Sequence, residues 1–436
     1  MENGIFVPKL KIGSRQIPLF PIWMAFLLGA FAIGLQGMYT VLTKGLTVTG
    51  LSNQVPWGLW ISIDLSSIAL GGSAFVFGVI VYLLKIERFK RIGMLAVLLG
   101  FLGYSTAGMV LLFDLGQPLR FWHPIIYWQP HSLLWEITMC VVLYLSVLLA
   151  ELLPIILEHE IFHSHPLLEK SKFLRGFTNF LQKLSGWLHK AGPVLAVIGL
   201  TLSLLHQASL GATYGVLTGR GLWFSPTAPV IFVLSAIAGG TGLLFITSIL
   251  VFRVMRPGLV SDDVLRDVAR IVGYVALLCI YIRIWDWAVT NYYSFDLEIA
   301  LQTELLNKVA PYATSFWLGQ IMFAAIPGFV LVNAKRVKHI KVLAFFAILP
   351  IVCTILTRWN YNLSGLIAQI TYDPFTPTVV LNTYSPTTTE WQVGMGVVSY
   401  WLMAFSLAAR FLPFKGDDHH HDDHSEKEHL EPAAAD

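Results

Sequence analysis

Ten long, nearly uncharged stretches dominate this sequence and limit what the chain can fold into. A helix needs about 20 apolar residues to cross a hydrocarbon core of ~30 Å, and in lipid a helix satisfies its own backbone hydrogen bonds. Only 13% of the residues are charged, against roughly 25% in soluble domains. The sequence therefore predicts an all-α polytopic membrane protein. The predicted spans are 18–42, 56–84, 92–114, 132–157, 190–212, 228–252, 268–290, 314–334, 340–358 and 390–412.

The distribution of Lys and Arg gives an independent test of the number and orientation of these spans, because inner loops of membrane proteins carry an excess of both. With the N-terminus inside, four of the 29 Lys and Arg residues fall in outer segments, two lie within spans, and the remaining 23 fall in inner segments. Adding or removing one span would scramble this alternation. We therefore expect a multi-pass protein of a prokaryotic cytoplasmic membrane, with both termini on the cytoplasmic side.

The charged segments at the two ends divide the chain into three parts. Residues 1–17 form a short basic cytoplasmic arm, and residues 18–414 form the ten-helix transmembrane domain. Residues 415–436 form a His- and Asp-rich cytoplasmic tail, which we expect to be disordered and solvated; adventitious metal binding is the alternative. The inner segment 158–189 is basic and partly amphipathic, which favours a helix on the membrane surface.

A weak internal repeat links the second and sixth spans. The segment 67–74, SIALGGSA, resembles the segment 235–242, SAIAGGTG, and a basic residue follows each at the same offset. Both spans run from outside to inside, so the repeat is parallel. It predicts two similar four-helix bundles plus two extra helices. Close packing of small residues would give the same pattern without a duplication, and both explanations stay open.

Ionisable side chains within spans are costly and are functional candidates by default. Seven lie well inside the predicted spans, and six of them gather toward the outer ends. Asp64 lies about 12 Å deep if its span begins at Pro56, at ~1.5 Å per residue. Structural ion pairs or snorkelling side chains would explain any single member. The six are Asp64, Glu136, His206, Arg283, Asp286 and Arg358, and Glu151 alone belongs to the inner half.

Together, the outer side chains suit a substrate with two carbonyl oxygens that exchange protons, such as a quinone. A carboxylate, an imidazole and guanidinium groups can bind those oxygens and transfer protons. A bis-histidine haem needs two intramembrane histidines, and only His206 lies in a predicted span, although His–Met ligation stays open. Cys140, Cys279 and Cys353 lie singly in separate spans. We therefore expect no haem, iron–sulfur cluster or metal site in this chain.

Several segments of the chain resemble the NrfD-like polysulfide reductase membrane-subunit family. The similarity is nearest to the ten-helix branch with HybB-type hydrogenase subunits and QrcD-type menaquinone reductase subunits, and it covers about 18–412. The stretch from His206 to Gly211, HQASLG, is its most specific part. The segments that carry the resemblance are 58–65 GLWISIDL, 68–71 IALG, 205–211 LHQASLG, 222–226 LWFSP and 358–360 RWN.

The resemblance implies a membrane subunit of a respiratory oxidoreductase complex that contributes a quinone site but no redox cofactor of its own. The substrate would be menaquinone or ubiquinone. Electrons would be exchanged with an extracytoplasmic four-cluster ferredoxin-like iron–sulfur subunit, linked in turn to a molybdopterin enzyme, a hydrogenase or a multihaem cytochrome. Membrane lipids are the other expected partners, and no nucleic acid is expected.

The resemblance also assigns roles to residues, since Asp64 and His206 match the family's quinone pocket near the outer face. A secondary transporter and a purely structural anchor are the alternative functions. Transporters usually place their site near the midplane, whereas this polar layer is off-centre. Quinone binding and proton exchange are predicted for Asp64, His206, Gln207, Trp60 and Arg358, and a proton path for Glu136, Asp286 and Arg283.

Overall fold

A computed structural model of the chain describes residues 9–12, 15–157, 172–218, 220, 222–292, 297–372 and 375–414. Within these residues, ten helices are long and apolar enough to cross a membrane, which confirms the predicted all-α polytopic architecture. The predicted tail at 415–436 lies outside the described residues. Spans 1 to 10 run Leu19–Val48, Leu59–Leu83, Glu87–Asp114, Leu133–Leu157, Arg175–Gly215, Ala228–Met255, Asp262–Tyr292, Tyr312–Val332, Ile340–Leu366 and Thr388–Phe411.

The spans form two four-helix bundles, as the repeat predicts. Spans 2–5 make the first bundle, in which span 2 packs on span 3 and span 4 packs on span 5. Spans 6–9 make the second, in which span 6 packs on spans 7 and 9, and span 7 packs on span 8. Spans 1 and 10 pair with each other and lie against spans 2 and 3. We call the end at which the even-numbered spans begin the outer end, following the predicted topology.

The two repeated small-residue segments meet at the centre of the molecule. A Cβ atom on Gly72 would lie 2.9 Å from the carbonyl oxygen of Ala236, and one on Gly240 would meet the facing backbone of span 2 at 2.8 Å. Only glycine permits backbones to approach this closely. Both spans then end in π-helical segments, Val79–Leu83 and Ile249–Met255. The repeated small-residue segments therefore serve close packing of spans 2 and 6, and these two spans also hold similar positions in their bundles.

Span 5 departs furthest from its predicted boundaries. Part of the predicted surface helix at 158–189 lies outside the described residues, but the chain from Lys172 to Gly215 is one α-helix of 44 residues. At ~1.5 Å per residue it is about 66 Å long, roughly twice the ~30 Å of a hydrocarbon core. Its first turns therefore extend past the core as a continuation of the span, because no break in the helix separates the amphipathic segment from the apolar one.

Short elements precede or connect the spans, and the described residues include two β-hairpins that were not predicted. In both hairpins the two strands are antiparallel, β1 with β2 and β3 with β4. The strands are β1 Lys9–Ile12, β2 Arg15–Pro18, β3 Ala368–Tyr372 and β4 Pro377–Leu381, and the short helices of the outer end are Pro118–Arg120, His123–Ile126 and Leu297–Lys308.

At the inner end, basic side chains from three regions of the chain converge on Asp267 in span 7. Its carboxylate lies 2.9 Å from a guanidinium nitrogen of Arg88, 3.4 Å from one of Arg270 and 3.2 Å from the ammonium nitrogen of Lys335. These cations come from the inner ends of spans 3 and 7 and from the turn after span 8. The distribution of Lys and Arg assigned all of these segments to the cytoplasmic side, and the structure brings them together.

Candidate functional site

Asp64 is buried in the second turn of span 2. The helix begins at Leu59, so Asp64 lies about 7.5 Å from the start of the helix at ~1.5 Å per residue. The side chain is 4% exposed, and its Oδ1 atom has no hydrogen-bond partner among the described residues. Buried polar atoms nearly always have a partner, so this oxygen is free to bind a ligand, a water or a proton.

His206 is fully buried in span 5, and neither of its ring nitrogens has a hydrogen-bond partner among the described residues. Its ring centroid lies 5.5 Å from that of Tyr104 in span 3. The Tyr104 hydroxyl interacts with the side chains of Ser203 and Gln207, and Tyr104 is close enough to Asp64 for an electrostatic interaction. Spans 2, 3 and 5 thus bring four polar side chains, which we call the first cluster, into the interior of the first bundle: Asp64, Tyr104, Ser203 and His206.

Gln207 ties His206 to the helix that carries Asp64. Its Nε2 atom donates a hydrogen bond to the carbonyl oxygen of Ile68 at 3.2 Å. Ile68 lies one turn after Asp64 in span 2, so this bond fixes span 5 against span 2 at the level of the first cluster. The sequence-predicted pair of Asp64 and His206 therefore belongs to adjacent, directly bonded helices.

Arg358 joins the two bundles from span 9. Its Nη2 atom donates to the carbonyl oxygen of Phe232 at 2.7 Å and to Oε1 of Gln207 at 3.4 Å, and the guanidinium carbon lies 3.7 Å from the centroid of the Phe232 ring. One turn later, Asn362 donates to the carbonyl oxygen of Gly58 at 2.9 Å. Two nitrogens of Arg358, Nε and Nη1, have no partner, so part of this buried cation remains available.

Trp60 and span 5, the helix that carries His206, lie on different sides of span 2. Its indole nitrogen donates to the carbonyl oxygen of Glu390 at 3.1 Å, and its ring belongs to a small apolar cluster with Met38 and Val393. The structure therefore places Trp60 against spans 1 and 10, whereas span 5 carries His206 and Gln207.

Two carboxylates near Asp64 were missed by the sequence analysis. Asp114 is the last residue of span 3, and its Oδ1 atom is buried without a partner. Glu390 is buried in the first turn of span 10, where it accepts hydrogen bonds from the Tyr384 hydroxyl at 2.6 Å and the Gly50 amide at 2.7 Å. Asp114 is within electrostatic range of both Asp64 and Glu390. Asp114 and Glu390 lie at the boundaries of predicted spans. An acidic residue lowers the hydropathy there, so each was assigned to the end of a span and not to its buried part.

An outer cavity of about 390 Å³ opens between the outer ends of spans 2, 5 and 9. Trp57 and Trp223 stack at its wall with centroids 5.8 Å apart, and Tyr214 lies 5.8 Å from the first and 5.0 Å from the second. Tyr214 is also within electrostatic range of Asp64, so an aromatic layer separates this cavity from the first cluster. The cavity is lined by Pro56, Trp57, Leu217, Arg220, Trp223 and Leu366.

The residues predicted for a proton path lie in two separate places. Glu136 begins span 4, where its Oε1 atom accepts from the Cys140 thiol at 3.1 Å and its Oε2 atom has no partner. Asp286 lies in the second bundle and accepts hydrogen bonds from the hydroxyls of Ser225, at 2.8 Å, and Thr227. The structure does not bring Glu136 and Asp286 into one bundle.

Arg283 is buried in the second bundle between spans 7, 8 and 9. It donates hydrogen bonds to Oε1 of Gln320 and, at 3.1 Å, to the hydroxyl of Thr357. Among the ion pairs of the described residues, none joins Arg283 to Asp286, although the two are one helical turn apart. The remaining predicted group, Glu151, lines a pocket at the inner end of the first bundle.

Comparison with known proteins gives consistent matches along the chain. The family model described as polysulphide reductase, NrfD, matches residues 47–367, which covers spans 2–9 and therefore both bundles. The menaquinone reductase integral membrane subunit of Nitratidesulfovibrio vulgaris is 34% identical, over 90% of this chain and 91% of the relative. A selenate reductase subunit of Mesobacillus selenatarsenatis is 26% identical, over 87% and 91%. The Hdr-like menaquinol oxidoreductase integral membrane subunit of Archaeoglobus fulgidus is 22% identical, over 87% and 91%.

Proposed function

We propose, from the premise that this chain belongs to the NrfD polysulphide reductase family, that it is the quinone-binding membrane subunit of a respiratory oxidoreductase complex. Two of its relatives are integral membrane subunits named for menaquinone or menaquinol. In the proposed complex, electrons pass between the quinone pool and an extracytoplasmic iron–sulfur subunit. These names favour a redox role over the alternative of a secondary transporter.

One observation carries the proposal, namely the first cluster. Asp64 and His206 present buried polar atoms that have no hydrogen-bond partner among the described residues, and Tyr104 and Ser203 lie beside them in the same bundle. Each unsatisfied buried polar group costs about 1–3 kcal/mol, so the free atoms of Asp64 and His206 favour a ligand that supplies hydrogen-bonding atoms. A quinone headgroup does so through its two ring oxygens.

The chemistry of the first cluster matches what a quinone requires. Reduction of a quinone consumes two electrons and two protons, and oxidation of the quinol returns them. A neutral His206 ring has one nitrogen that donates and one that accepts a hydrogen bond, and Asp64 can take up or release a proton beside it. Tyr104 can donate a further hydrogen bond to a ring oxygen. The electrons come from, or go to, the iron–sulfur partner.

The outer end of the molecule supports access and docking in this proposal. The aromatic side chains Trp57, Tyr214 and Trp223 offer flat apolar surfaces, which suit the ring of a quinone. The helix Leu297–Lys308 and the β3–β4 hairpin lie at the same end, where we place the docking surface for the iron–sulfur partner. This arrangement would keep the electron donor or acceptor close to the quinone.

The test is substitution within the first cluster. We expect Asp64→Asn and His206→Ala each to lower quinone-coupled turnover of the assembled complex at least about 100-fold, because a positioned acid or base contributes roughly 10²–10⁴-fold. Turnover of the partner subunits with a soluble artificial electron carrier should stay unchanged. Matched controls are Asp262→Asn, whose exposed carboxylate pairs with Arg253 at the inner end, and His123→Ala, in a short outer helix.

Two outcomes would contradict the proposal. If both variants assemble with their partners and keep full quinone turnover, the site is wrongly assigned. If quinone analogues leave the turnover of the unmodified complex untouched, the chain is a structural anchor instead.

A further inference from the structure

A second polar cavity lies at the outer end of the second bundle, between spans 7, 8 and 9. It measures about 90 Å³, which is several times the roughly 10–15 Å³ that a cavity needs to hold one water molecule. Neither the predicted quinone pocket nor the outer cavity includes it. Its lining includes Arg283, Asp286, Trp287, Phe316, Asn360 and Tyr361.

Two residues that line the second cavity carry donor atoms without a hydrogen-bond partner among the described residues. Arg283 is 4% exposed, and its guanidinium binds Gln320 and Thr357 and interacts with the Cys279 thiol, while its Nε atom has no such partner. Asn360 accepts a hydrogen bond from the Ser315 hydroxyl at 3.0 Å through its Oδ1 atom, while its Nδ2 atom has no partner. The cavity therefore offers two N–H donors to an acceptor oxygen.

The charges and walls of the cavity limit what could bind to those donors. The carboxylate of Asp286 lines the same cavity and would repel an anion, while the guanidinium of Arg283 would repel a cation. Trp287, Phe316 and Tyr361 supply aromatic walls, which favour a flat ring. A neutral, planar ligand with a carbonyl oxygen satisfies all of these conditions.

We propose that the second cavity binds the headgroup of a second quinone, with a ring carbonyl accepting hydrogen bonds from Arg283 and Asn360. The inference rests on the proposed function only in taking quinone as the lipid on which the complex acts. The site lies in the other bundle and uses residues that the first cluster does not contain.

The experiment is photolabelling of the assembled complex in lipid nanodiscs. The probe is a short-tailed naphthoquinone that carries a photoreactive group on its tail, and labelled peptides are mapped by mass spectrometry. We expect two sets of saturable labels, one in spans 2, 3 and 5 and one in spans 7, 8 and 9. Thr290→Phe fills the second cavity, which Thr290 lines, and should reduce only the second set, at least tenfold.

A second variant and a control separate binding from misfolding. Asn360→Leu removes the donor and keeps the branching and number of side-chain heavy atoms, and it should weaken labelling of the second set about tenfold, with the first set unchanged. Thr43→Phe places the same bulky side chain on the exposed face of span 1 and should leave both sets intact. Labels confined to the first set, unaffected by Thr290→Phe, would overturn the second site. Absence of saturable labels from both sets would overturn the proposed function with it.

Discussion

Many Ser and Thr hydroxyls buried in the spans are satisfied within their own helix. The hydroxyls of Ser66, Ser235 and Thr247, for example, donate to the carbonyl oxygen four residues earlier. A carboxylate, an imidazole or a guanidinium group cannot be satisfied in this way and needs a partner from another helix or from a ligand. This is why Asp64 and His206 carry functional information that buried serines do not.

At the residue scale, sequence identified the ionisable members of the first cluster but not its neutral ones. Tyr104 and Ser203 are neutral, so the search for ionisable groups did not select them, although the Tyr104 ring lies 5.5 Å from that of His206. Span 5 continues to Gly215, past the end of its hydropathy window, so His206 lies farther from the end of its helix than the window predicts.

Tyr384 provides a test of stability at the junction of spans 2 and 10. Its hydroxyl accepts a hydrogen bond from the Leu59 amide at 2.7 Å and donates one to Glu390 at 2.6 Å. Tyr384→Phe leaves both partners unsatisfied, so we expect the free energy of unfolding to fall by about 1–3 kcal/mol. Chemical unfolding of the purified protein in detergent at about pH 8 measures this loss. The control is Tyr39→Phe, at an exposed tyrosine.

The same residue predicts a pH dependence. Burial raises the pKa of Tyr384 above its usual value of 10.0, and its hydrogen bond to Glu390 acts in the same direction. Folding favours the neutral form of the Tyr384 hydroxyl. This preference stabilises the folded protein fully below a pH of about 10, and the stabilisation is lost as the pH rises above that value. The stability difference between the unmodified protein and Tyr384→Phe should therefore narrow at higher pH. A difference that stays constant in that range would contradict this assignment.

At the element scale, the pairing of spans 1 and 10 depends on glycine. A Cβ atom on Gly34 would lie 2.2 Å from the Cα atom of Gly396, whereas one on Gly29 of the same helix meets open space. We expect Gly34→Leu to separate the two helices and to cost at least the ~1–3 kcal/mol typical of overpacking. Gly29→Leu is the matched control and should be tolerated. Equal thermal unfolding temperatures for the two variants in detergent would show that this contact does not hold span 1.

The existence of all ten spans followed from the sequence, but the contacts between them did not. Spans 2 and 6 are apolar on nearly every side because other helices surround them, so their hydrophobic pattern does not indicate which neighbour each side meets. The hydrogen bond from Gln207 to Ile68 forms only because span 5 packs against that side of span 2. Contacts of this kind became visible only in the structure.

At the scale of the whole molecule, two bundles of one architecture carry different chemistry. The first bundle has Tyr104 and His206, which can exchange protons, whereas the second has Arg283 and Asn360, which form hydrogen bonds but do not exchange protons under ordinary conditions. The parallel repeat predicted the two bundles, since it lies in their first helices. It could not predict this difference, because the repeat is carried by small packing residues and not by the polar ones.

A structure of the assembled complex with bound quinone, determined in lipid nanodiscs, tests most directly whether the first bundle holds the substrate. We predict a ring between spans 2, 3 and 5, with a ring oxygen about 2.7–3.2 Å from a nitrogen of His206 or an oxygen of Asp64, as hydrogen bonding requires. A quinone bound elsewhere, with these two side chains still enclosed by protein and in contact with no ligand, would contradict the assignment.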